Sequence, residues 1–172
     1  MKLDSKKFDF RLCDEKNFDE ILRIQDEAFE ILENKDILRK NTDEMLLACL
    51  NPPHITVGAW CGKVLAGFAV LYFPEKNEEL APYLKDVDIS GKQAANYKLC
   101  IVREKYRGNS LQFRLGKKLE EYAKERGIDL LCATVSPDNP YSIKNMEKLG
   151  FVYNCTTEKY GGLKRNIYYK FI

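Results

Sequence analysis

The chain has 172 residues, of which 45% are hydrophobic and 31% are charged, a composition typical of a water-soluble globular protein. Its 28 lysines and arginines nearly balance its 26 aspartates and glutamates, so the net charge of +2 gives no support for a nucleic-acid or membrane partner. We expect residues 1–172 to form one domain, on which any anion-binding site is local.

The cysteines and the N-terminal segment indicate the cellular compartment. Six cysteines are scattered along the chain without a CxxC pair, and His54 is the single histidine, so we expect no metal site. Segment 1–7 lacks the apolar run of a signal peptide, and no later run has the length of a membrane span. Reduced thiols in a cytoplasmic protein are the simplest interpretation.

The first half of the chain predicts one strand, two helices and a hairpin. Apolar residues alternate with charged ones over 8–12, as in a half-buried strand, and recur at helical spacing over 21–29. This first helix could continue to Glu33. Thr42 begins a second helix, which a Pro-Pro pair ends. The hairpin consists of strand 55–60, the turn Cys61-Gly62-Lys63 and strand 64–72.

The second half begins with the polar, irregular segment 74–95, and long loops of this kind often shape a binding site. The regular segments that follow are strand 97–102, a helix from Asn109 or Ser110 to a cap at Gly127, the nearly all-apolar strand 128–135, a helix from Pro140 or Tyr141 to Gly150, and strands 151–157 and 166–171. The order β-α-α-β-β-β-α-β-α-β-β predicts an α/β fold with a mixed central sheet and helices on both faces.

A first candidate site lies where a strand ends and a helix begins, between Val102 and Gln112. The first N–H groups of a helix lack backbone partners, and together with the helix dipole they form a site suited to a pyrophosphate. Gly108 permits close approach of the backbone, and Arg107 adds a fixed positive charge. An ordinary loop with a normal helix cap would produce the same pattern.

A second candidate site surrounds the start of the next helix, at Asn139 and Ser142. In open α/β sheets ligands collect beyond the carboxyl ends of the strands, and both candidate helices start on that side. The Asn139 amide can donate to and accept from an amide-bearing ligand. Simple helix capping by Asn139 and Ser142 is the alternative interpretation.

Together the two segments resemble the GNAT superfamily of N-acetyltransferases. Val102-x3-Tyr106-Arg107-Gly108-Asn109-Ser110-Leu111-Gln112 resembles that family's Arg/Gln-x-x-Gly-x-Gly/Ala pyrophosphate loop. Segment 139–151, which ends in Glu-Lys-Leu-Gly-Phe, resembles its second coenzyme motif. The resemblance covers nearly the whole chain. Lys159-Tyr-Gly-Gly-x2-Arg165 further resembles a subset of bacterial members, without indicating a role.

The resemblance implies an acetyl-CoA-dependent enzyme that transfers the acyl group directly to a primary amine of a small molecule or peptide. The acceptor would enter between the N-terminal helices and the 74–95 loop, and a homodimer is left open. The residues implied in coenzyme binding are Cys100, Ile101, Val102, Arg107, Gly108, Asn109, Ser110, Leu111, Gln112, Asn139 and Ser142.

Two departures from the family pattern bear on affinity and chemistry. Ser110 and Gln112 stand where the pattern has glycine or alanine, although a helix N-terminus presents its backbone N–H groups whatever its side chains. Met146 stands where many members have a tyrosine that protonates the coenzyme thiol. We therefore predict acetyl transfer without an essential tyrosine acid, with Tyr141 and Tyr97 as the nearest rival donors.

The general base is left undecided by the sequence, because no carboxylate lies within strand segment 99–102. Glu27, Glu30 and Asp88 are weak candidates, and each also suits an ordinary solvated surface charge. Two other readings stay open for the whole chain. One is a catalytically inert acyl-CoA-binding sensor or regulatory module, and the other is an α/β domain that binds a different phosphate ligand at Arg107.

Overall fold

The structure is a computed structural model that describes residues 7–76 and 78–172. The N-terminal residues 1–6, which carry most of the segment predicted not to be a signal peptide, lie outside this part. The strands within it are β1 (Phe8–Leu12), β2 (Ile55–Cys61), β3 (Val64–Tyr72), β4 (Ala94–Val102), β5 (Leu130–Val135), β6 (Val152–Lys159) and β7 (Leu163–Phe171). The α-helices are α1 (Phe18–Glu30), α2 (Asp43–Cys49), α3 (Leu111–Glu125) and α4 (Pro140–Lys148).

The observed order of strands and α-helices along the chain is the predicted one. The structure differs from the prediction only in where some elements begin and end. Helix α1 ends at Glu30 and does not continue to Glu33, since the Ile31 N–H bonds back to the last turn and the chain then bends away. Strand β5 begins at Leu130 because the Ile128 N–H donates to the Ala123 carbonyl and completes the end of α3. The final turn is shorter than predicted, because β6 and β7 pair up to residues 159 and 163.

Seven strands of the described chain form one sheet, in the order β1-β2-β3-β4-β5-β7-β6. Strands β4 and β5 are the parallel pair, and they pair only over Ala94–Tyr97 and Leu130–Ala133. Beyond these residues the two strands separate. A bulge at Lys98 interrupts the pairing of β4 with β3 at the same point, and bulges of this kind bend a strand and redirect its side chains. The separation opens a gap in the middle of the sheet.

Helices cover both faces of the sheet, as predicted. On one face, Leu111, Leu115 and Leu119 of α3 belong to a buried cluster that includes residues of β2, β3 and β4. On the other face, Ile21 and Ile24 of α1 pack into a second cluster with residues of α2 and β3. The gap between β4 and β5 therefore lies between two helical layers, one that contains α3 and one that contains α1 and α2.

A partly buried charge pair fixes the α3–α4 face. Lys170 Nζ of β7 lies 2.6 Å from Glu120 Oε2 of α3 and donates to the Leu149 carbonyl at the end of α4 over 2.8 Å. Burial alone would raise the pKa of Glu120, but hydrogen bonds from Lys170 and Lys124 lower it. One lysine thus ties three elements together beneath the sheet.

All six cysteines are unpaired. Within the described ranges, no helix combines the length and the apolar character needed to cross a membrane.

Candidate active site

A cleft of about 880 Å³ opens where β4 and β5 separate. The carboxyl-terminal half of β4 and the N-termini of α3 and α4 line one part of it, and the loop between α1 and α2 lines another. Because β4 and β5 are parallel, the helices that follow them begin at the same edge of the sheet. Ten of the eleven predicted coenzyme-binding residues lie on the wall of this cleft.

The loop before α3 has a positive φ angle at two positions, Gly108 and Ser110. Gly108 has φ 81°, and an added Cβ there would meet no atom within 4 Å. Ser110 has φ 54°, a left-handed conformation that costs a non-glycine residue about 1 kcal/mol, and it stands where the resembling pattern has glycine. Ser110 makes no side-chain hydrogen bond to cap α3. The first N–H groups of α3 are therefore not satisfied by a cap from this serine.

Asn109 is the one predicted coenzyme-binding residue that is not on the cleft wall. Its side-chain amide donates to the Tyr106 carbonyl over 2.9 Å, a contact that shapes the loop. Arg107 is exposed at the cleft, and within the described chain no carboxylate forms an ion pair with it. The loop thus presents a positive charge beside an uncapped helix end.

At the start of α4, Asn139 caps the helix, and its side chain also lines the cleft. The Ser142 N–H donates to Asn139 Oδ1 over 3.1 Å, so the capping interpretation of Asn139 is confirmed. The Nδ2 group of Asn139 is a further donor on the same side chain. Met146 lies about one helical turn beyond Ser142, is 3% exposed and contributes to the wall of the cleft.

The edge of β4 that faces the gap carries backbone groups without a strand partner beyond Tyr97, because β5 has turned away. Cys100 lies in this stretch, and burial raises the pKa of its thiol to about 12. The Cys100 side chain is therefore a protonated thiol near neutral pH, and a thiol is a poor nucleophile.

Tyr97 stands at the point where the strands separate. Its side chain is 6% exposed and lines the cleft. Its hydroxyl lies beside the Cys100 thiol but forms no hydrogen bond of normal geometry to this or any other described residue. Burial, and then the neighbouring Cys100, raise the pKa of the Tyr97 hydroxyl well above its usual range. Unpaired buried hydroxyls are rare in folded proteins, and a catalytic role or a bound water is among the reasons for them. Tyr141, the other candidate tyrosine, is 82% exposed.

None of the three carboxylates considered as a base lines the cleft. Glu27 pairs with Arg103 at 3.0 Å and borders an adjoining cavity of about 530 Å³, which shares Val102 and Arg107 with the cleft. Glu30 is exposed on α1. Asp88 is exposed and accepts a hydrogen bond from the Ser90 N–H, which lowers its pKa. Among the described residues, Asp138 is the one carboxylate on the cleft wall.

The far part of the cleft carries three positive side chains, which we call the cationic wall: Arg39, Lys98 and Arg165. Sequence reasoning missed Arg39 and Lys98, because neither belongs to a motif. It singled out the loop that contains Arg165 without a role, and the structure places this arginine and Tyr160 of the same loop on the cleft.

The family model named Acetyltransferase (GNAT) family matches residues 18–151 of the chain, more than three quarters of its length. Together with the β4–β5 cleft, this match defines the class of protein. The chain belongs to the GNAT acetyltransferase family. A sequence comparison with curated proteins found no match.

Solved structures of acetyltransferases share the fold. NAA60 of Arabidopsis thaliana, solved in complex with acetyl-CoA, superposes with a TM-score of 0.74 at 15% identity, covering 96% of this chain and 98% of that one. The yncA protein of Salmonella typhimurium, solved with its cofactor acetyl-CoA, gives 0.71 at 16% identity over 96% and 94%. The ribosomal-protein-alanine N-acetyltransferase of Brucella melitensis gives 0.72 at 19% identity over 95% and 99%. At these identities the likeness establishes the fold alone.

Proposed function

We propose that the chain is an acetyl-CoA-dependent N-acetyltransferase that transfers the acetyl group directly to a primary amine of a small molecule or peptide. The observation that carries the proposal is the uncapped N-terminus of α3 beside Arg107, on the same cleft as the unpaired edge of β4. An anion site and a row of free backbone groups on one wall suit a ligand that has both a pyrophosphate and amide groups.

Different segments of this wall would bind different parts of the coenzyme. Segment 107–112 would hold the pyrophosphate with the Arg107 guanidinium and the helix N–H groups, and segment 99–102 would pair its backbone with the amides of the pantetheine arm. Asn139 Nδ2 would donate to the same arm, since Oδ1 is occupied by the cap of α4. We call these three pieces, 99–102, 107–112 and 139–142, the coenzyme wall.

Direct transfer fits the groups at the cleft better than a covalent enzyme intermediate. The lone pair of the acceptor amine attacks the thioester carbonyl carbon, the C–N bond forms, the C–S bond breaks, and the proton of the amine leaves to water. Cys100 is the thiol at the strand separation, and its raised pKa of about 12 keeps it from taking over the acyl group.

Tyr97 would assist the departure of the sulfur without acting as an essential acid. Its unpaired hydroxyl can donate a hydrogen bond to the sulfur as negative charge develops there. A thiol has an ordinary pKa of about 8.5, so expulsion as a thiolate near neutral pH costs only about 2 kcal/mol relative to the protonated product. Because a thiolate is only a moderately strong base, a hydrogen bond is enough to stabilise it as it leaves. A more basic leaving group would have to be fully protonated.

A cytoplasmic location is part of the proposal, since six unpaired cysteines suit a reducing compartment.

The proposal is tested by thiol release from acetyl-CoA with a panel of amines, and by thermal shifts with CoA, ATP and NAD. Release that depends on both protein and amine, together with a shift for CoA alone, is the expected result. Tight CoA binding without turnover on any amine would favour an inert acyl-CoA-binding module, for which Met146 in place of a tyrosine is the specific observation. Shifts of similar size with ATP or NAD would favour another phosphate ligand.

A further inference from the structure

The cationic wall lies on the α1–α2 side of the sheet, across the cleft from the helix N-termini. Lys98 occupies the bulge of β4, and its Nζ lies 4.1 Å from the centre of the Tyr72 ring. Tyr72 in turn packs against the buried cluster that includes Ile21 and Ile24 of α1. Arg39 comes from the α1–α2 loop and Arg165 from β7. All three line the same cleft as the coenzyme wall.

Arg39 is held in place by a buried amide network. Gln25 of α1 is fully buried, and its Nε2 donates to the Asn41 carbonyl over 2.9 Å while its Oε1 accepts from the Asn41 N–H over 2.9 Å. These bonds fix the loop that carries Arg39, whose guanidinium stacks 4.0 Å above the Tyr160 ring. The Tyr160 hydroxyl in turn lies 3.1 Å from Thr134 Oγ1 of β5. The arginine is thus anchored to both sides of the cleft.

Arg165 is 4% exposed, and its hydrogen bonds are to uncharged groups. Its Nη2 donates to the Asp36 carbonyl over 2.7 Å, and its Nη1 donates to the Lys164 carbonyl over 2.8 Å. The ring contacts of Lys98 and Arg39 are likewise with uncharged partners. Across residues 7–76 and 78–172, no ion pair joins any of these three cations to a carboxylate.

Two carboxylates lie near the wall without pairing with it. Glu78 accepts a hydrogen bond from the Tyr72 hydroxyl and forms no ion pair with Lys98 in the described chain, and Asp36 is exposed. Burial is the largest influence on Lys98 and Arg165 and lowers the pKa of both. The charge of Arg39 lowers both further, while Glu78 raises the pKa of Lys98 and Asp36 raises the pKa of Arg165. Like charges that are partly buried without a counter-ion are unfavourable, and folded proteins retain them mainly where they bind something.

We propose that the cationic wall binds an anionic group of the acceptor, so that the substrate is a small primary amine that also bears a carboxylate or a phosphate. The inference rests on the proposed function, which it deepens by naming the class of acceptor. Carboxylate and phosphate share the chemistry required, because a guanidinium donates two parallel hydrogen bonds to either of them and an ammonium adds a point charge.

The same charges explain how the amine can react without a carboxylate base on that wall. A like charge nearby disfavours the protonated form of an amine, so the cations favour the neutral, nucleophilic form of the acceptor. A polyamine gains nothing from this wall, since each additional ammonium group is repelled by it. The cleft therefore selects against polycationic acceptors.

The test compares matched amines as acceptors of acetyl-CoA, with kcat/KM measured by thiol release. The pairs are alanine against alaninamide and O-phosphoethanolamine against ethanolamine, with cadaverine as the dicationic amine. Removing the carboxylate of alanine also lowers the pKa of its ammonium group, so intrinsic reactivity favours alaninamide. We expect the anionic member to be preferred by at least about tenfold in one pair, and that pair identifies the anion.

Two variants connect the preference to the wall. Arg39→Gln and Lys98→Gln should each reduce the preference for the anionic amine by about tenfold, while the calorimetric affinity for CoA stays that of the wild type. Arg126→Gln, at the exposed end of α3, removes a cation far from the cleft and should keep the wild-type preference. Gln keeps the aliphatic stem next to the backbone and a polar end group, so a folding defect is not expected.

A second measurement separates this inference from the proposed function. Protein saturated with CoA is titrated calorimetrically with each probe, which requires no turnover. Tighter binding of the anionic probe, lost in Arg39→Gln, supports the cationic wall even if no amine is acetylated. Equal or tighter binding of ethanolamine, alaninamide or cadaverine overturns it even if acetylation occurs. A preference that persists in both variants overturns it as well, and failure to bind CoA removes its basis.

Discussion

The coenzyme wall and the cationic wall face the same cleft but are built in opposite ways. The coenzyme wall offers backbone groups from segments that directly follow β4 and β5, and it retains an uncapped helix N-terminus with Ser110 in place of the expected glycine. The cationic wall offers side chains from three segments that lie far apart in the chain. Backbone recognition tolerates most changes of side chain, whereas each cation of the cationic wall is a side chain that a single substitution removes.

The cationic wall also differs from the α3–α4 face in how its positive charge is supported. On the α3–α4 face, Lys170 is paired with Glu120 and ties α3 to the end of α4. On the cationic wall, Lys98 has a ring contact but no ion pair among the residues described. Removing one partner of a buried pair is destabilising because the other charge is left uncompensated, while a buried cation that already lacks a partner costs stability and suits a binding role.

The largest effect is expected from breaking the paired charge. Lys170→Met leaves Glu120 partly buried without its main partner and should lower the free energy of unfolding by about 3 kcal/mol, the lower end of the range for a broken buried pair. Chemical denaturation at pH 7 checks this value. Lys144→Met, on the exposed side of α4, is the matched control and should change stability little.

The free energy of unfolding of the same variant should depend on pH in a direction that can be measured. The pKa of Glu120 is lowered in the folded protein, so its stabilisation is present above the unfolded carboxyl pKa of about 4.3 and is lost as pH falls through the folded pKa. Without Lys170, burial acts to raise the pKa of Glu120 and is opposed by Lys124 and Lys117 alone, so this pKa is higher in the variant than in the wild type. The gap in stability between wild type and Lys170→Met should therefore narrow below about pH 4. A gap that widened there would contradict the role of this pair.

The next effect sharpens the assignment of the coenzyme wall. Arg107→Glu places a negative charge beside the expected pyrophosphate and should weaken CoA binding by at least about 1.4 kcal/mol, or tenfold. Calorimetry with CoA measures it, and Arg126→Glu at the far end of α3 serves as the control. Acceptor preference should be unaffected in both proteins. Equal CoA affinity in wild type and Arg107→Glu would remove the pyrophosphate from this helix.

A third effect concerns the hydroxyl at the strand separation. Tyr97→Phe should lower kcat by about tenfold with CoA affinity unchanged, because a hydrogen bond to a charged group contributes about 1.5 kcal/mol. Tyr141→Phe should change kcat by less than about twofold, since its hydroxyl belongs to an exposed side chain. A loss of about a hundredfold or more for either variant would mean that a tyrosine acid is essential and has moved from the position of Met146.

The smallest effect is a gain of stability on the cationic wall. Lys98→Met replaces a partly buried, unpaired charge by an apolar side chain of similar length and should raise the free energy of unfolding by about 1 kcal/mol. The same substitution should reduce acetylation of the preferred anionic amine. Denaturation and turnover are measured on one preparation, with Lys144→Met again as control. A destabilised Lys98→Met would indicate that the lysine serves the fold.

Local patterns along the chain were sufficient to predict most of the fold. The alternation over Phe8–Leu12, the two prolines after α2 and the Gly127 cap each act within a few residues, so they could be read without the tertiary structure. Errors occurred where a local pattern meets a neighbouring element, as at Ile128, whose N–H completes α3 before β5 begins. Such hydrogen bonds depend on the end of the preceding helix, and apolar spacing does not reveal them.

The sequence by itself determined the order of the elements and the wall built from contiguous segments, because a helix N-terminus and its preceding glycine act through adjacent backbone groups. Only the tertiary structure decided which side chains face that wall. Arg39, Lys98 and Arg165 meet because β4 bulges and separates from β5 and because the Gln25–Asn41 network fixes the α1–α2 loop. Their spacing in sequence carries no periodicity, since charges brought together across a sheet are neighbours in space alone.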